Sequence, residues 1–154
     1  MAGAQEGPVR WDELFFSVSC KGTLRGMHVQ ASASAGHRVI FLTRGTAQDY
    51  VIDLRRGSPT FGHVETVLLK PGGKILVVPS GCAHGFEALE DETTMVYLQQ
   101  GIYDPAADIG VHWQSIGIQA ACSTPIVSER DRNLPEFSAF DSPFTWRSQP
   151  GEAQ

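Results

Sequence analysis

Proton chemistry at neutral pH needs a group that titrates there, and imidazole does. The chain carries five: His28, His37, His63, His84 and His112. A metal-holding β-barrel usually sets two histidines one residue apart on a strand, so that both imidazoles face inward. No His-x-His occurs: His28 is followed by Val29-Gln30, and His84 by Gly85-Phe86. No metal site and no cofactor are expected. The segment Thr23-Leu24-Arg25-Gly26-Met27-His28 offers more. Strand alternation puts Gly26 and His28 on one face and Arg25 on the other. A bulge at Gly26 would bring Arg25 and His28 to one pocket. A guanidinium fork grips two phosphate oxygens at once, and an imidazole beside it can act as a base. Alone, this pairing fits an ordinary surface strand as well.

The elements that must hold these residues are short strands. Leu24–Gln30 alternates apolar and polar residues, and His37–Arg44 is β-branched and aromatic up to Gly45. Asp49–Leu54, His63–Lys70, Ile75–Pro79, Gly85–Leu89 and Thr93–Gln99 follow, parted by turns such as Arg55-Arg56-Gly57-Ser58-Pro59 and Pro71-Gly72-Gly73. Short runs between Gly, Pro and Asp turns predict an all-β sandwich or barrel. After Gly101 the pattern changes. Tyr103–Gly117 is expected to hold a short helix or loop, and Pro125–Asp131 a segment folding back. One domain is expected over residues 1–154, with 1–12 and 145–154 as flexible ends.

Composition agrees. The chain has 154 residues, with Lys+Arg 12 and Asp+Glu 17, a formal net charge of −5. Hydrophobic residues make up 42% and charged residues 19%, which excludes a disordered chain. The acidic balance, without a Lys/Arg cluster, argues against nucleic acid and anionic membranes as partners. No apolar run is long enough for a membrane span, and Met1–Pro8 does not read as a signal peptide. The three cysteines, Cys20, Cys82 and Cys122, are widely spaced and fit reduced thiols in a cytoplasmic protein.

A resemblance sharpens the reading. It rests on Leu24-Arg25-Gly26-Met27-His28, on Asp53–Gly62 (DLRRGSPTFG), on Val78–Phe86 (VPSGCAHGF), on Tyr97 with Tyr103-Asp104-Pro105, and on Ser128-Glu129-Arg130-Asp131. These blocks are collinear over residues 17–137. They resemble the dTDP-4-dehydrorhamnose 3,5-epimerase family of nucleotide-sugar epimerases. The resemblance implies a cupin-like jelly-roll barrel with short C-terminal helical or loop segments, working as a homodimer. It implies inversion of a carbon next to the 4-keto group of a nucleoside-diphosphate 6-deoxyhexose.

That reaction needs a base, an enolate stabiliser and an acid on the opposite face. By resemblance, His28 is the base, Asp131 the carboxylate that orients it, and Tyr97 the acid. Arg38 falls where the family carries a lysine, and is assigned to the enolate oxygen. Arg25, Arg56 and His84 are assigned to the diphosphate or the sugar hydroxyls, Tyr103 to the pocket wall, and Ser17 to a polar position facing the substrate.

The resemblance has departures. The family usually carries a further strand with Arg, Phe and Glu before the matching region, and Met1–Asp12 is too short to replace it. A polar Gln-x-Asn stretch before the matching serine is here Glu13-Leu14-Phe15-Phe16-Ser17. These changes fall on nucleotide recognition and dimer contacts, so an altered base, sugar or dimer is expected with catalysis kept. Two alternatives share the fold. A 3,4-ketoisomerase would not need the Tyr97 acid. A non-catalytic sugar-nucleotide-binding jelly roll would not need a His28–Asp131 pair.

Overall fold

Each turn expected from Gly or Pro breaks one strand from the next, and the strands assemble into two largely antiparallel sheets. The computed structural model describes residues 10–146. In chain order the strands are β1 (Glu13–Ser19), β2 (Thr23–Gln30), β3 (Arg38–Arg44), β4 (Ala47–Asp53) and β5 (Val64–Leu69). They continue with β6 (Leu76–Val78), β7 (Cys82–Ala88), β8 (Thr93–Gln99), β9 (Asp108–Gly110) and β10 (Ile126–Val127). The smaller sheet runs β1-β8-β3-β6, and the larger β10-β2-β7-β4-β5, with β9 also paired to β2. This is the expected all-β jelly roll. Among the described residues the one α-helix, α1, is one turn long, Glu129–Arg132.

Strand β1 is absent from the sequence expectation. Its Leu14, Phe15 and Phe16 are apolar on both faces, so no alternation marks it. The region after Gly101 divides into one-turn 3-10 helices at Pro105–Ala107 and Trp113–Ile116 around β9. Ile126-Val127 then folds back parallel to Thr23-Leu24.

The core has two parts. Ile40, Leu42, Leu69, Phe86 and Met95 pack between the sheets. Leu24, Met27, Ile52, Val111 and Trp113 pack on the outer side of the larger sheet, with Phe137, Phe140 and Phe144 against them. Apolar residues of the C-terminal segment therefore cover that face. Strand β7, buried along its whole length, lies at the centre.

The outer face of the smaller sheet has no such cover among the described residues. Leu14 is paired to Leu98, Leu98 to Val39, and Val39 to Val77. A second row joins Phe16, Val96 and Phe41. Leu14, Phe16, Val18 and Val77 are each more than half exposed.

Of the ends expected to be flexible, residues 1–9 and 147–154 lie outside the described residues. Asp12, Thr145 and Trp146 are tied down. The Asp12 N–H donates to Gln99 O, Thr145 bridges to Arg56, and the Trp146 ring lies 4.3 Å from the Arg55 guanidinium.

The block from Asp53 to Gly62 is a turn built on one carboxylate. Asp53 accepts hydrogen bonds from the Arg55 N–H and guanidinium, from Ser58 Oγ at 2.6 Å and from Thr60 Oγ1 at 2.7 Å. Burial alone would raise this carboxyl, but the hydrogen bonds from Arg55, Ser58 and Thr60 outweigh it and hold it well below the usual range. A carboxyl depressed in the native state stabilises the fold above its unfolded pKa of about 3.9, and that contribution is lost as pH falls through the folded value. Asp53→Ala should therefore cost about 2–4 kcal/mol at neutral pH, because it strands buried donors. Urea midpoints should show this, and the gap between the two proteins should narrow below about pH 4.

Candidate active site

The site begins at the glycine in the middle of β2. Arg25 pairs with Phe86 and His28 with His84, so three steps along β2 (28 − 25) match two along β7 (86 − 84). The extra residue is a bulge, and it returns Arg25 and His28 to the same face. Gly26 sits at φ +111°, and a Cβ there would fall 2.6 Å from Gly85 Cα and 2.8 Å from His84 O. Only glycine fits such a close backbone approach.

The bulge frees the Gly26 N–H from the ladder, and Asp131 takes it up at 3.0 Å through Oδ2. The other oxygen, Oδ1, lies 2.7 Å from His28 Nε2. Asp131 sits in the first turn of α1, where Ser128 Oγ accepts from the Asp131 N–H and caps the helix. One buried carboxylate thus joins β2 to the C-terminal helix. Burial alone would raise the Asp131 carboxyl; hydrogen bonds from His28 and the Gly26 N–H prevail and hold it low. It is ionised at neutral pH, so His28 Nε2 carries the hydrogen. That leaves Nδ1 with no hydrogen bond from the described residues.

Tyr97 comes from the opposite sheet, on β8, and is 7% exposed. Burial pushes its phenol up to about 12, with the Ser17 hydroxyl opposing. Ser17 Oγ is buried and makes no hydrogen bond of good geometry, though it stands near the phenol. The Tyr97 ring stacks on Phe15 and meets the His84 ring edge-on at 6.0 Å.

His84 belongs to a second His–carboxylate pair. Its Nε2 is 2.8 Å from Asp49 Oδ2, with both side chains buried. Burial raises the Asp49 carboxyl and His84 opposes it.

Arginines line the same cavity. Arg25 donates through Nε to Ser19 Oγ at 3.2 Å. Arg38, at the start of β3, is lowered by burial, while the Tyr97 and Asp108 charges act to raise it; its guanidinium stays charged at any physiological pH. Arg130 is held 2.8 Å from Asp108 Oδ2, which also accepts from Tyr103 Oη at 2.9 Å. Asp108 is thus committed to Arg130 and Tyr103, and Asp131 to His28 and Gly26.

The cavity has a volume of about 840 Å³ and opens between the two sheets. That is the size range of small-ligand sites, ~300–1,000 Å³. His28, Asp131, Tyr97 and Arg38 line it, and so do Arg25, His84, Tyr103 and Ser17.

Arg56 does not reach it. This expectation is corrected: Arg56 is half exposed, 3.4 Å from Asp141, and bridges to Thr145 beside the turn that Asp53 organises. Lying next to a strand end in sequence said nothing about which end of the barrel it occupies.

Sequence reasoning missed Asp49, Asp108, Arg130, Glu13 and Phe15. Arg130 had a signal, since it adjoins Asp131 in a resembling block. Asp49, an acid inside a buried strand, could have been flagged as needing a partner. Among the described residues, no three His, Cys, Asp or Glu side chains converge as a metal site would require.

Two facing sheets, with His28 on one, paired to Asp131 of α1, and a desolvated tyrosine on the other, frame the pocket of a cupin-like jelly roll. Residues 3–139 match the family model described as dTDP-4-dehydrorhamnose 3,5-epimerase. The chain belongs to that family.

A curated relative from Streptomyces niveus, named dTDP-4-dehydrorhamnose 3-epimerase, is 37% identical over 129 residues, covering 82% of this chain and 62% of the relative. The chain thus spans less than two thirds of that relative's length. The crystal structure of NovW, a 4-keto-6-deoxy sugar epimerase from Streptomyces spheroides, superposes with a TM-score of 0.81 at 35% identity, over 85% of this chain and 67% of that one. A Legionella pneumophila epimerase in complex with dTDP-4-keto-L-rhamnose gives a TM-score of 0.84 at 27% identity, over 90% of this chain and 77% of that one.

Gly26→Ala should separate the bulge from the rest of the fold. Its Cβ would press on the β7 backbone at positive φ, so a loss of roughly 2 kcal/mol or more is expected. Thermal denaturation gives the stability, and the downfield proton of the His28–Asp131 hydrogen bond in NMR should disappear.

Proposed function

We propose that this protein epimerises a nucleoside-diphosphate 4-keto-6-deoxyhexose at C3, C5 or both. The observation that carries the reading is His28 on the larger sheet, paired to Asp131 of α1, with Tyr97 on the facing sheet. A sugar ring between the sheets has a base on one side and an acid on the other. The solved relatives support the substrate class: one is titled a 4-keto-6-deoxy sugar epimerase, and another holds dTDP-4-keto-L-rhamnose.

In this reading His28 Nδ1 takes the proton alpha to the ketone. The C–H electron pair moves into a new C=C bond, and the carbonyl oxygen becomes an enolate. Asp131 stabilises the resulting imidazolium and fixes its tautomer, as a carboxylate does in any such dyad. Arg38 faces the enolate oxygen with a charge that needs no proton transfer. Tyr97 then gives its phenolic proton to the same carbon from the other side, the C=O re-forms, and the phenolate is reprotonated from solvent. Burial keeps the phenol protonated until that moment. Arg25 and Arg130 are suited to the diphosphate, with His84 and Tyr103 on the sugar.

Incubation with an NDP-4-keto-6-deoxyglucose in deuterated water tests this by NMR. Deuterium should enter C3 or C5; no exchange at either carbon would defeat the reading. His28→Ala should slow exchange by roughly 100- to 10,000-fold. Tyr97→Phe should keep exchange and block inversion, and normal epimerisation by this variant would remove Tyr97 from the mechanism.

The homodimer is part of the same proposal. The outer face of the smaller sheet, uncovered by the described residues, presents Leu14, Phe16, Val39, Val77, Val96 and Leu98 and carries no charge across its two rows. A flat apolar face matches a second copy of itself across a twofold axis. Sedimentation should find a dimer for the parent chain and a monomer for Phe16→Glu. A monomeric parent chain would contradict the dimer.

A further inference from the structure

The acid of the proposed reaction is held by a residue that the resemblance did not assign. Tyr97 stands directly opposite Phe15 in the β1–β8 pair, and Ile40 occupies the same row on its other side. The Phe15 and Tyr97 rings are stacked, with centroids 4.7 Å apart and planes 12° apart. Directly opposed aromatic residues on one sheet face interact strongly, because the pleat already brings their Cβ atoms together. Phe15 lines the cavity and is 40% exposed, whereas Tyr97 is 7% exposed. The stack therefore stands between the phenol and the solvent at the open side of β1.

We propose that Phe15 is a positioning residue for Tyr97: its ring fixes the phenol over the cavity and thereby sets how the enolate divides between inversion and return. The inference rests on the epimerase reading. The enolate has two fates. Protonation at carbon by Tyr97 forms a C–H bond on the new face and breaks the phenolic O–H. Return of a proton from the His28 imidazolium restores the original configuration. Both regenerate the ketone, so neither needs an oxidant or a further reactant. A phenol held at one angle competes well for the carbon. One that swings and hydrates competes poorly, while His28 on the other sheet and Asp131 on α1 are untouched.

Two measurements test this. In deuterated water, substrate that returns with retained configuration but carries deuterium counts the return path, and the inverted product counts Tyr97. Phe15→Ala should raise the ratio of return to inversion roughly 3- to 10-fold, the scale of one aromatic stack. Total exchange should fall by less than inversion does, since abstraction is a separate step at another residue. Phe15→Leu keeps the bulk without the flat ring and should shift the ratio in the same direction; it also serves if the alanine variant folds poorly. An unchanged ratio, or a parallel fall of both paths, would overturn the inference. The second measurement needs no turnover. With ring-labelled tyrosine, Tyr97 should flip slowly in the parent chain and visibly faster in both variants. A parent chain without any exchange sinks the epimerase reading, whereas unchanged ring flipping in the variants sinks the Phe15 inference alone.

Discussion

The structure depends on what one carboxylate does with its two oxygens. Asp131 holds the Gly26 N–H with one and His28 with the other. The first bond satisfies a backbone donor that the bulge takes out of the ladder, where an unpaired buried N–H would cost free energy. The second fixes the imidazole. Both require that residue 26 have no side chain, that β2 carry an extra residue against β7, and that α1 begin with a capping serine. The site is therefore a contact between two parts of the chain about 105 positions apart. It is not a local motif.

The two sheets divide the chemistry. The larger one, covered outside by aromatic residues of the C-terminal segment, is the rigid carrier of His28, His84 and Arg25. The smaller one carries Tyr97, Arg38 and Phe15 on its inner face, and its outer face is uncovered by the described residues. A reaction that removes a proton from one side of a carbon and returns it on the other needs such facing walls. The overall charge of −5 contributes little to this. What matters is that Arg25, Arg38 and Arg130 come to the cavity from different elements, while Asp131 and Asp108 are committed to partners.

Much of this was legible in the sequence. Strands from β2 to β8 are visible because glycine and proline turns punctuate them and because one side of each meets the core. β1 is not, because an edge strand with apolar residues on both faces obeys neither the alternating nor the buried pattern. The bulge at Gly26 could be inferred from the need to bring Arg25 and His28 together, and β2 has that geometry. The partnership of His28 with Asp131 came only from resemblance, since no periodicity links residues so far apart. Arg56 misled because proximity to a distinctive block was taken for proximity to the ligand; the block DLRRGSPTFG is a turn organised by Asp53. Phe15 could not be weighed at all until β1 was placed beside β8.

The central claim is that Asp131 fixes His28 with its proton on Nε2 and its lone pair on Nδ1, directed at the cavity. Nitrogen-15 NMR of the His28 ring, recorded across neutral pH, reads that tautomer directly. The account predicts a protonated Nε2 and, once the ring is neutral, a bare Nδ1. A neutral ring protonated on Nδ1, or one exchanging freely between the two tautomers, would contradict it.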